Sequence, residues 1–583
     1  MDRELIKKPA GYFKVKPNLE DYEKTYRRFS WREAEGELDW FAKKKLNAAY
    51  NSVDRHLKTW RKNKVALYWE GEDASEKKFT FEELSETSNQ YANYLKDLGV
   101  KRGDRVFIFL PRIPEFYLSF LGILKIGAIA GTLFSAFQEK ALFDRLENSQ
   151  AKILVTNQEL KLRVDKIRKK LKNLKEIVVV DEPEFQKKAA LCPNAFKISQ
   201  MAPTDAAFML YTSGTTGKPK GVVHQHLSIL QEHLTAKWVL DMHDEDTYWC
   251  TADPGWVTGI AYEILGSWSN GVAAVIYEGR FNPQRWYEIL EKYRITIWYT
   301  APTAIRMLMA AGSELIKTYD LSHLRHLASV GEPLNPEAIR WGLKVFKLPF
   351  HDNWWQTETG AICIANYPVL PIKPGSMGKP VPGIEAAVVD ESGSVLPLGQ
   401  MGNLVLKPGW PSMMRKIWRR PKKYKSYFIK GLVSHERGAK RRVEWYFTGD
   451  LAYKDKDGYF WFVGRADDII KTGGERVGPF EVESALIEHP AVAEAGVIGK
   501  PDPLRGEIIK AFITLKPKVK PTKKLKEEIA QFVKKHLAGH AYPREIEFID
   551  RLPKTRSGKI ARRVLKAREL GLAVGDISTL EEY

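Results

Sequence analysis

The run Tyr211-Thr212-Ser213-Gly214-Thr215-Thr216-Gly217-Lys218-Pro219-Lys220-Gly221 gathers small hydroxyl side chains, glycines and two lysines into one short stretch. Glycines let the backbone turn tightly and approach a ligand closely. Hydroxyls and backbone N–H groups can then surround phosphate oxygens, with Lys218 or Lys220 adding charge. The run follows an apolar, strand-like stretch at 206–210, as phosphate loops often do. Its spacing is neither Gly-x-x-x-x-Gly-Lys-Ser/Thr nor Gly-x-Gly-x-x-Gly.

Further segments put polar chemistry at fixed places along the chain. They are Val330-Gly331-Glu332-Pro333, Asp352-Asn353-Trp354-Trp355-Gln356-Thr357-Glu358-Thr359-Gly360, Tyr446-Phe447-Thr448-Gly449-Asp450, Gly464-Arg465-Ala466-Asp467-Asp468-Ile469-Ile470-Lys471 and Pro553-Lys554-Thr555-Arg556-Ser557-Gly558-Lys559. A lone acid such as Asp450, or a lone lysine in a basic tail such as Lys559, would ordinarily be a solvated surface residue. In this order, the segments resemble the adenylate-forming superfamily, which includes acyl-CoA synthetases, peptide-synthetase adenylation domains and luciferases. The resemblance extends through the N-terminal portion from about Tyr12.

The resemblance implies a reaction. A carboxylate attacks the α-phosphorus of ATP, pyrophosphate leaves, and the acyl adenylate then meets the thiol of coenzyme A. Both first reactants are anions, so the site must neutralise charge and align the attacking oxygen. By resemblance, Glu358 holds a magnesium ion, while Thr212, Ser213, Gly214, Thr215, Thr216, Gly217 and Lys218 surround the phosphates, with Thr215 close to the chemistry. Gly331, Glu332, Pro333, Asp352, Asn353, Trp354, Gln356 and Thr357 form the adenine side of the site. Asp450 accepts hydrogen bonds from the ribose hydroxyls, Arg465 lies near ribose and phosphate, and Lys559 stabilises the charge that develops during adenylation. Asp467 is the implied hinge of a rotating C-terminal domain. Gly474 and Arg476 match positions near coenzyme A, where glycine allows close backbone approach and arginine suits phosphates. Acetate-specific relatives carry Ser-Gly-His-Arg there, whereas this chain has Gly473-Gly474-Glu475-Arg476, with a negative charge beside the expected anion site.

Size selection is expected from Trp256, Val257, Thr258, Val330 and Trp355, which resemble the wall of the pocket in acetate-activating members. An indole at Trp355 fills space that a longer acid requires. One methylene is worth about 1–3 kcal/mol, so propionate is expected to be a weaker substrate and not an excluded one. Alternatives of the same chemistry are another short carboxylic acid, or loading of an acid onto a separate carrier protein. Members of this type are switched off by acetylation of the C-terminal lysine, which adds a lysine acetyltransferase and deacetylase acting on Lys559 as candidate partners.

These residues need a scaffold. Short β-branched apolar runs at 105–110, 152–156 and 176–180 alternate with helix-like stretches at 81–98 and 114–126, the pattern of parallel sheets covered by helices. The expected fold class is α/β. A large N-terminal domain, 1–465, holds helix-covered sheets and, by resemblance, a β-barrel-like subdomain; a small mobile α+β domain, 466–583, carries Lys559. Within the latter, helices are expected at 479–489 and 523–537 and strands at 492–499 and 509–515.

Composition sets the outer bounds. A chain of 583 residues with 44% hydrophobic and 28% charged content is ordinary for a large folded protein. Three scattered cysteines, Cys192, Cys250 and Cys363, fit a reducing cytoplasm better than a disulfide framework. The most apolar stretch, 116–124, is far shorter than the ~20 residues of a membrane span and reads as a buried helix. The net charge of +20, with twelve Lys and Arg between 415 and 442, reads for the most part as a solvated basic face, although it could also serve polyanions such as ATP, coenzyme A or nucleic acid. Without a helix-turn-helix, RNA-recognition or zinc-finger pattern, no nucleic-acid partner is expected.

Overall fold

The computed structural model describes residues 5–8, 11–212, 219–436, 439–473, 475–537, 541–555, 559–574 and 580, with backbone alone for 430–436 and 439–442. Two largely parallel sheets form the frame of the large domain. In the seven-stranded sheet the strands lie in the order Lys416–Ile417, Lys220–Gln225, Ala206–Thr212, Ile129–Thr132, Arg105–Phe109, Ile153–Thr156, Glu176–Val179. The last five are parallel and the first two antiparallel. The nine-stranded sheet has a parallel centre, from Phe350–Trp354 through His326–Ser329, Ile297–Thr300, Thr247–Cys250 and Ala273–Tyr277 to Val65–Glu70. Strands such as Ile153–Thr156 and Ile297–Thr300 are buried at every position, because helices cover both faces.

The covering helices begin and end on local chemistry. Thr80 and Glu83 form a reciprocal capping box at the start of Phe81–Asp97. Pro114 opens Pro114–Ile126, and Gly127, in the left-handed conformation, closes it. That second helix is buried along almost its whole length, in line with the reading of 116–124. Its Lys125 is also buried and is held by Asp54 at 2.8 Å and by Asn89 Oδ1 at 2.8 Å. Among the described residues no helix is long and apolar enough to cross a membrane.

A third, antiparallel sheet takes the place of the expected barrel-like unit. Its long strand Ala439–Lys454 pairs with Gly402–Leu406 on one side, and Ala386–Val389 lies beyond that. On the other side it pairs first with Phe428–Glu436 and then with Phe460–Arg465. The handover falls at 446–450.

The small domain has its own sheet of Glu475–Val477, Ile470–Thr472, Gly506–Leu515 and Val492–Asp502, with Glu545–Phe548 parallel to Gly506–Leu515. Its helices Pro479–Ile487 and Lys523–His536 agree with the sequence reading to within two residues. The two central strands run longer than the apolar pattern suggests. Asp502 Oδ1 accepts the N–H groups of Leu504 and Arg505 at 3.0 and 2.8 Å, a tight turn that lets the ladder continue to its end.

Candidate active site

The loops that carry the chemistry leave the carboxyl ends of parallel strands, where open α/β sheets bind their ligands. Ala206–Thr212 runs straight into the phosphate-type loop, with Thr212 its last residue. Ser213, Gly214, Thr215, Thr216, Gly217 and Lys218 lie outside the described residues. His326–Ser329 leads into Val330-Gly331-Glu332-Pro333. Gly331 sits at φ +99°, and a Cβ there would meet nothing within 4 Å, so its backbone stays open to a ligand. Phe350–Trp354 leads into the Trp355-Gln356-Thr357-Glu358 turn.

Asp450 is the buried hub of the site. The register slips where Ala439–Lys454 passes Gly402–Leu406, and Thr448-Gly449-Asp450 stand out of the ladder. Gly449 takes φ +76°, Thr448 Oγ1 donates to the Leu404 carbonyl at 2.8 Å, and the Asp450 N–H donates back to Thr448 Oγ1 at 3.0 Å. The bulge thereby aims the carboxylate. Asp450 Oδ2 accepts the Trp354 indole N–H at 2.9 Å and the Gln356 amide at 3.0 Å. Oδ1 accepts from Arg465 Nη1 at 2.8 Å, directly opposite in the next ladder. Burial raises the Asp450 pKa above the usual carboxylate range and Arg465 counters it.

Glu358 sits half-buried nearby. Its Oε1 accepts the Tyr427 hydroxyl at 3.1 Å and lies 3.9 Å from Lys220 Nζ, which in turn donates to the Tyr427 oxygen at 2.9 Å. Burial lowers the Lys220 pKa, and Glu358 opposes that shift. Tyr427 was not visible as a site residue in the sequence. It stacks on Tyr446 at 5.8 Å, and Tyr446 donates to Gln356 at 2.9 Å, so the two halves of the site share one aromatic brace. Glu358 supplies one carboxylate of the kind magnesium takes together with substrate phosphates and water, and those phosphates would also have to offset the Lys220 ammonium 3.9 Å away. No cluster of three or more acidic, His or Cys ligands occurs among the described residues.

Lys559 arrives from the small domain. It lines a cleft between the domains together with Arg306, Glu332, Pro333, Glu483 and Arg562. Its N–H donates to Thr555 Oγ1 at 3.1 Å. Lys559 is exposed at the edge of the cleft, yet the protein crowded around it lowers its pKa, Arg465 adds to the lowering and Asp450 opposes it. Glu332 is fixed by Thr303 Oγ1 at 2.6 Å and Arg306 Nη2 at 3.1 Å. Arg562 clasps Glu483 through Nε at 2.8 Å and through Nη2. Asn335 reaches across the cleft to Ser484 Oγ at 2.9 Å.

Other expected residues stand in different surroundings. Asp352 is fully enclosed, and burial pushes its pKa up to about 8. It accepts the Leu334 N–H at 3.2 Å and so braces the 330–334 loop. Asn353 likewise turns inward, bonding Ser329 O at 2.9 Å and the Tyr299 hydroxyl at 2.9 Å. Thr357 is half-buried in the turn before Glu358. Arg476 is exposed and pairs with Glu391 at 3.1 Å, away from the Asp450 cluster, and Gly474 lies outside the described residues. Arg465 Nε lies 3.8 Å from Asp467, at the crossing between domains.

Of the acid-wall residues, Val330 and Trp355 share one apolar cluster. Trp256 packs instead on Phe134 and Phe137, at 5.6 and 6.4 Å, and Val257 packs on a third cluster. Thr258 begins the π-helical turn Gly259–Leu265, whose Tyr262 meets Trp355 edge-on at 5.2 Å.

A buried carboxylate, a second carboxylate beside a lysine, and a lysine from the small domain at the cleft are compatible with an enzyme that works on a nucleoside phosphate, and the family comparisons show that class. Residues 53–418 match the AMP-binding enzyme family and residues 481–559 match the AMP-binding enzyme C-terminal domain. The chain belongs to this family. It is 57% identical to the acetyl-coenzyme A synthetase of Bacillus subtilis, over 97% of this chain and 98% of that one. It is 45% identical to the acetyl-coenzyme A synthetase of Methanothrix thermoacetophila, over 93% and 86%. Among solved structures, an anthranilate CoA ligase in complex with anthranoyl-AMP superposes with a TM-score of 0.82 at 33% identity, covering 90% of this chain and 98% of that one. A Brucella canis acyl-CoA synthetase gives 0.72 at 35%, covering 94% and 99%.

Proposed function

We propose that the protein joins acetate to coenzyme A through an acetyl adenylate, consuming ATP and releasing AMP and pyrophosphate. The observation that carries this reading is Lys559 of the small domain turned into the cleft beside Glu332, within electrostatic reach of Asp450 and Arg465. The 57% identity to an acetyl-coenzyme A synthetase supports the choice of acid.

In the first step an acetate oxygen attacks the α-phosphorus. A P–O bond to the acetate oxygen forms, and the P–O bond that joins the α-phosphorus to pyrophosphate breaks. Asp450 holds the ribose hydroxyls, Arg465 flanks ribose and phosphate, and the 212–218 loop takes the outgoing phosphates. Lys559 bridges the carboxylate and the α-phosphate, where charge builds up. Glu358 holds magnesium, which neutralises phosphate charge when bound. In the second step the coenzyme A sulfur attacks the acetyl carbonyl, a C–S bond forms, AMP leaves and the thiol proton is lost.

The domain division falls at 465/466, with Asp467 as the pivot for a rotation that withdraws Lys559 and frees Arg476 from Glu391 to meet coenzyme A. Acetylation of Lys559 by a lysine acetyltransferase would remove the charge that the first step needs, and a deacetylase would restore it. A cytoplasmic setting suits three free cysteines.

The test is release of AMP and pyrophosphate with ATP, magnesium and coenzyme A across acetate, propionate, butyrate and octanoate. Acetate should lead, with propionate weaker. A peak on a longer acid would keep the reaction and overturn the substrate. For Trp355→Gly, the kcat/KM of butyrate relative to acetate is expected to rise by roughly 10–100-fold, the scale of methylene discrimination. An unchanged chain-length profile would remove Trp355 from the acid wall.

A further inference from the structure

Behind Trp355 lies a residue that no motif points to. Tyr262 is completely buried on the π-helical turn Gly259–Leu265. Such turns insert an extra residue into a helix and recur at functional sites. The Tyr262 ring stands edge-on to Trp355, with centroids 5.2 Å apart at 81°, and edge-on to Tyr299, at 5.9 Å and 87°. Pairs in this geometry hold their rings in a fixed mutual orientation.

The hydroxyl of Tyr262 is held from two elements. It accepts the Ile362 N–H at 2.7 Å and lies 2.7 Å from Thr235 Oγ1, on the helix Ser228–Trp238. Thr235 Oγ1 donates to the Gln231 carbonyl at 2.6 Å, so the Tyr262 hydroxyl donates to Thr235. The Gln231 side-chain amide then donates to the Ile362 carbonyl at 3.0 Å. The hydrogen bonds close a ring: Ile362 to Tyr262, to Thr235, to Gln231, and back to Ile362. Trp355 begins, and Ile362 lies one residue before the end of, the turn between Phe350–Trp354 and Ile364–Ala365, strands paired at Trp354 and Ile364. Tyr262 therefore clamps that turn at its start and near its end, by its ring at Trp355 and by its hydroxyl at Ile362.

We infer that Tyr262 is a positioning residue for acid selection: it fixes the plane and depth of the Trp355 indole and so sets how long an acid the site admits. The inference rests on the proposed function, in which the acid lies against Trp355. A wall that can recede by a fraction of an ångström rejects an extra methylene less strongly, while acetate, which needs less room, is scarcely affected. Tyr262→Phe keeps the ring and removes the hydroxyl clamp. Thr235→Val leaves Tyr262 intact and removes one of its two partners.

The experiment measures kcat/KM for acetate, propionate and butyrate, with the KM for ATP, in the full-length enzyme and in Tyr262→Phe, Thr235→Val and Trp355→Gly. The propionate-to-acetate ratio is expected to rise roughly three- to tenfold in Tyr262→Phe, part of the roughly 10–200-fold that one methylene can carry. It should rise less in Thr235→Val, and the KM for ATP should stay within twofold of the parent in both, on the order expected for a change remote from the nucleotide. If Tyr262→Phe does not fold, Thr235→Val carries the test alone. A shifted ratio in Trp355→Gly with unshifted ratios in the other two overturns the role of Tyr262 and leaves the acid site standing. Equal loss on all three acids in Tyr262→Phe shows a merely structural residue and also overturns it. An unshifted ratio in every variant, Trp355→Gly included, removes the acid from this wall and the inference with it.

Discussion

Lys559→Gln is expected to lower acetyl-adenylate formation by at least about 10²–10³-fold, the scale seen when one group stabilising transition-state charge is removed. Glutamine preserves most of the length of the side chain and removes its charge. Two anions must meet in the first step, and Lys559 is the cation that the small domain carries into the cleft beside Glu332. Thioester formation from preformed acetyl adenylate and coenzyme A should survive, because the charge is needed only where carboxylate meets phosphate. Pyrophosphate exchange reads the first half-reaction and consumption of synthetic acetyl adenylate reads the second. Equal losses in both would refute an adenylation role. The pH profile adds a second readout. Lys559 is exposed, yet the protein crowded around it and Arg465 disfavour its charged form while Asp450 supports it, so its pKa is shifted below that of an ordinary lysine. The first half-reaction should fall on that alkaline limb, and the glutamine variant should lack it.

The second large effect is expected at Asp450. Hydrogen bonds to a charged group contribute about 1.5–3 kcal/mol each. Losing two of them to the ribose hydroxyls in Asp450→Ala should weaken ATP binding by roughly 10²–10⁴-fold. Calorimetric titration of ATP and of 2′,3′-dideoxy-ATP isolates the contact. The parent should bind the dideoxy nucleotide far more weakly, whereas the variant should scarcely distinguish the two. Persistent discrimination in the variant would place the ribose elsewhere. Removal of the carboxylate also strips the acceptor from the indole of Trp354 and the amide of Gln356, so a lowered melting temperature should accompany the change.

Much of this arrangement could be read along the chain because its parts are local. The runs at 105–110, 152–156 and 176–180 became the strands Arg105–Phe109, Ile153–Thr156 and Glu176–Val179, since burial on both faces demands unbroken apolar residues. Asp450 stood out only through the resemblance carried by Tyr446-Phe447-Thr448-Gly449-Asp450 in its order along the chain, and its burial at the centre of a hydrogen-bond cluster is what the fold adds. Tyr427 and Tyr262 did not stand out. Each is an ordinary aromatic in its own segment, and acquires meaning only through a partner brought in by sheet topology, Glu358 in one case and Trp355 in the other. The inward aim of Asp352 and Asn353 was equally hidden. Neighbours in a strand point to opposite faces, so Asp352 and Asn353 bury on either side of a sheet covered on both faces, and which partners they meet there is set by packing.

Arg465 ends the strand Phe460–Arg465, and its guanidinium touches Asp450 on one side and approaches Asp467 on the other. If, as proposed, Asp450 holds the ribose and Asp467 is the pivot, nucleotide occupancy and domain orientation draw on the same cation, and thermodynamic reciprocity follows. Whatever preference ATP has for one orientation of the small domain, that orientation must show to the same factor in its affinity for ATP. A substitution at Asp467 that biases the domain should thus alter nucleotide affinity without touching the nucleotide, and the two changes, measured separately, must agree.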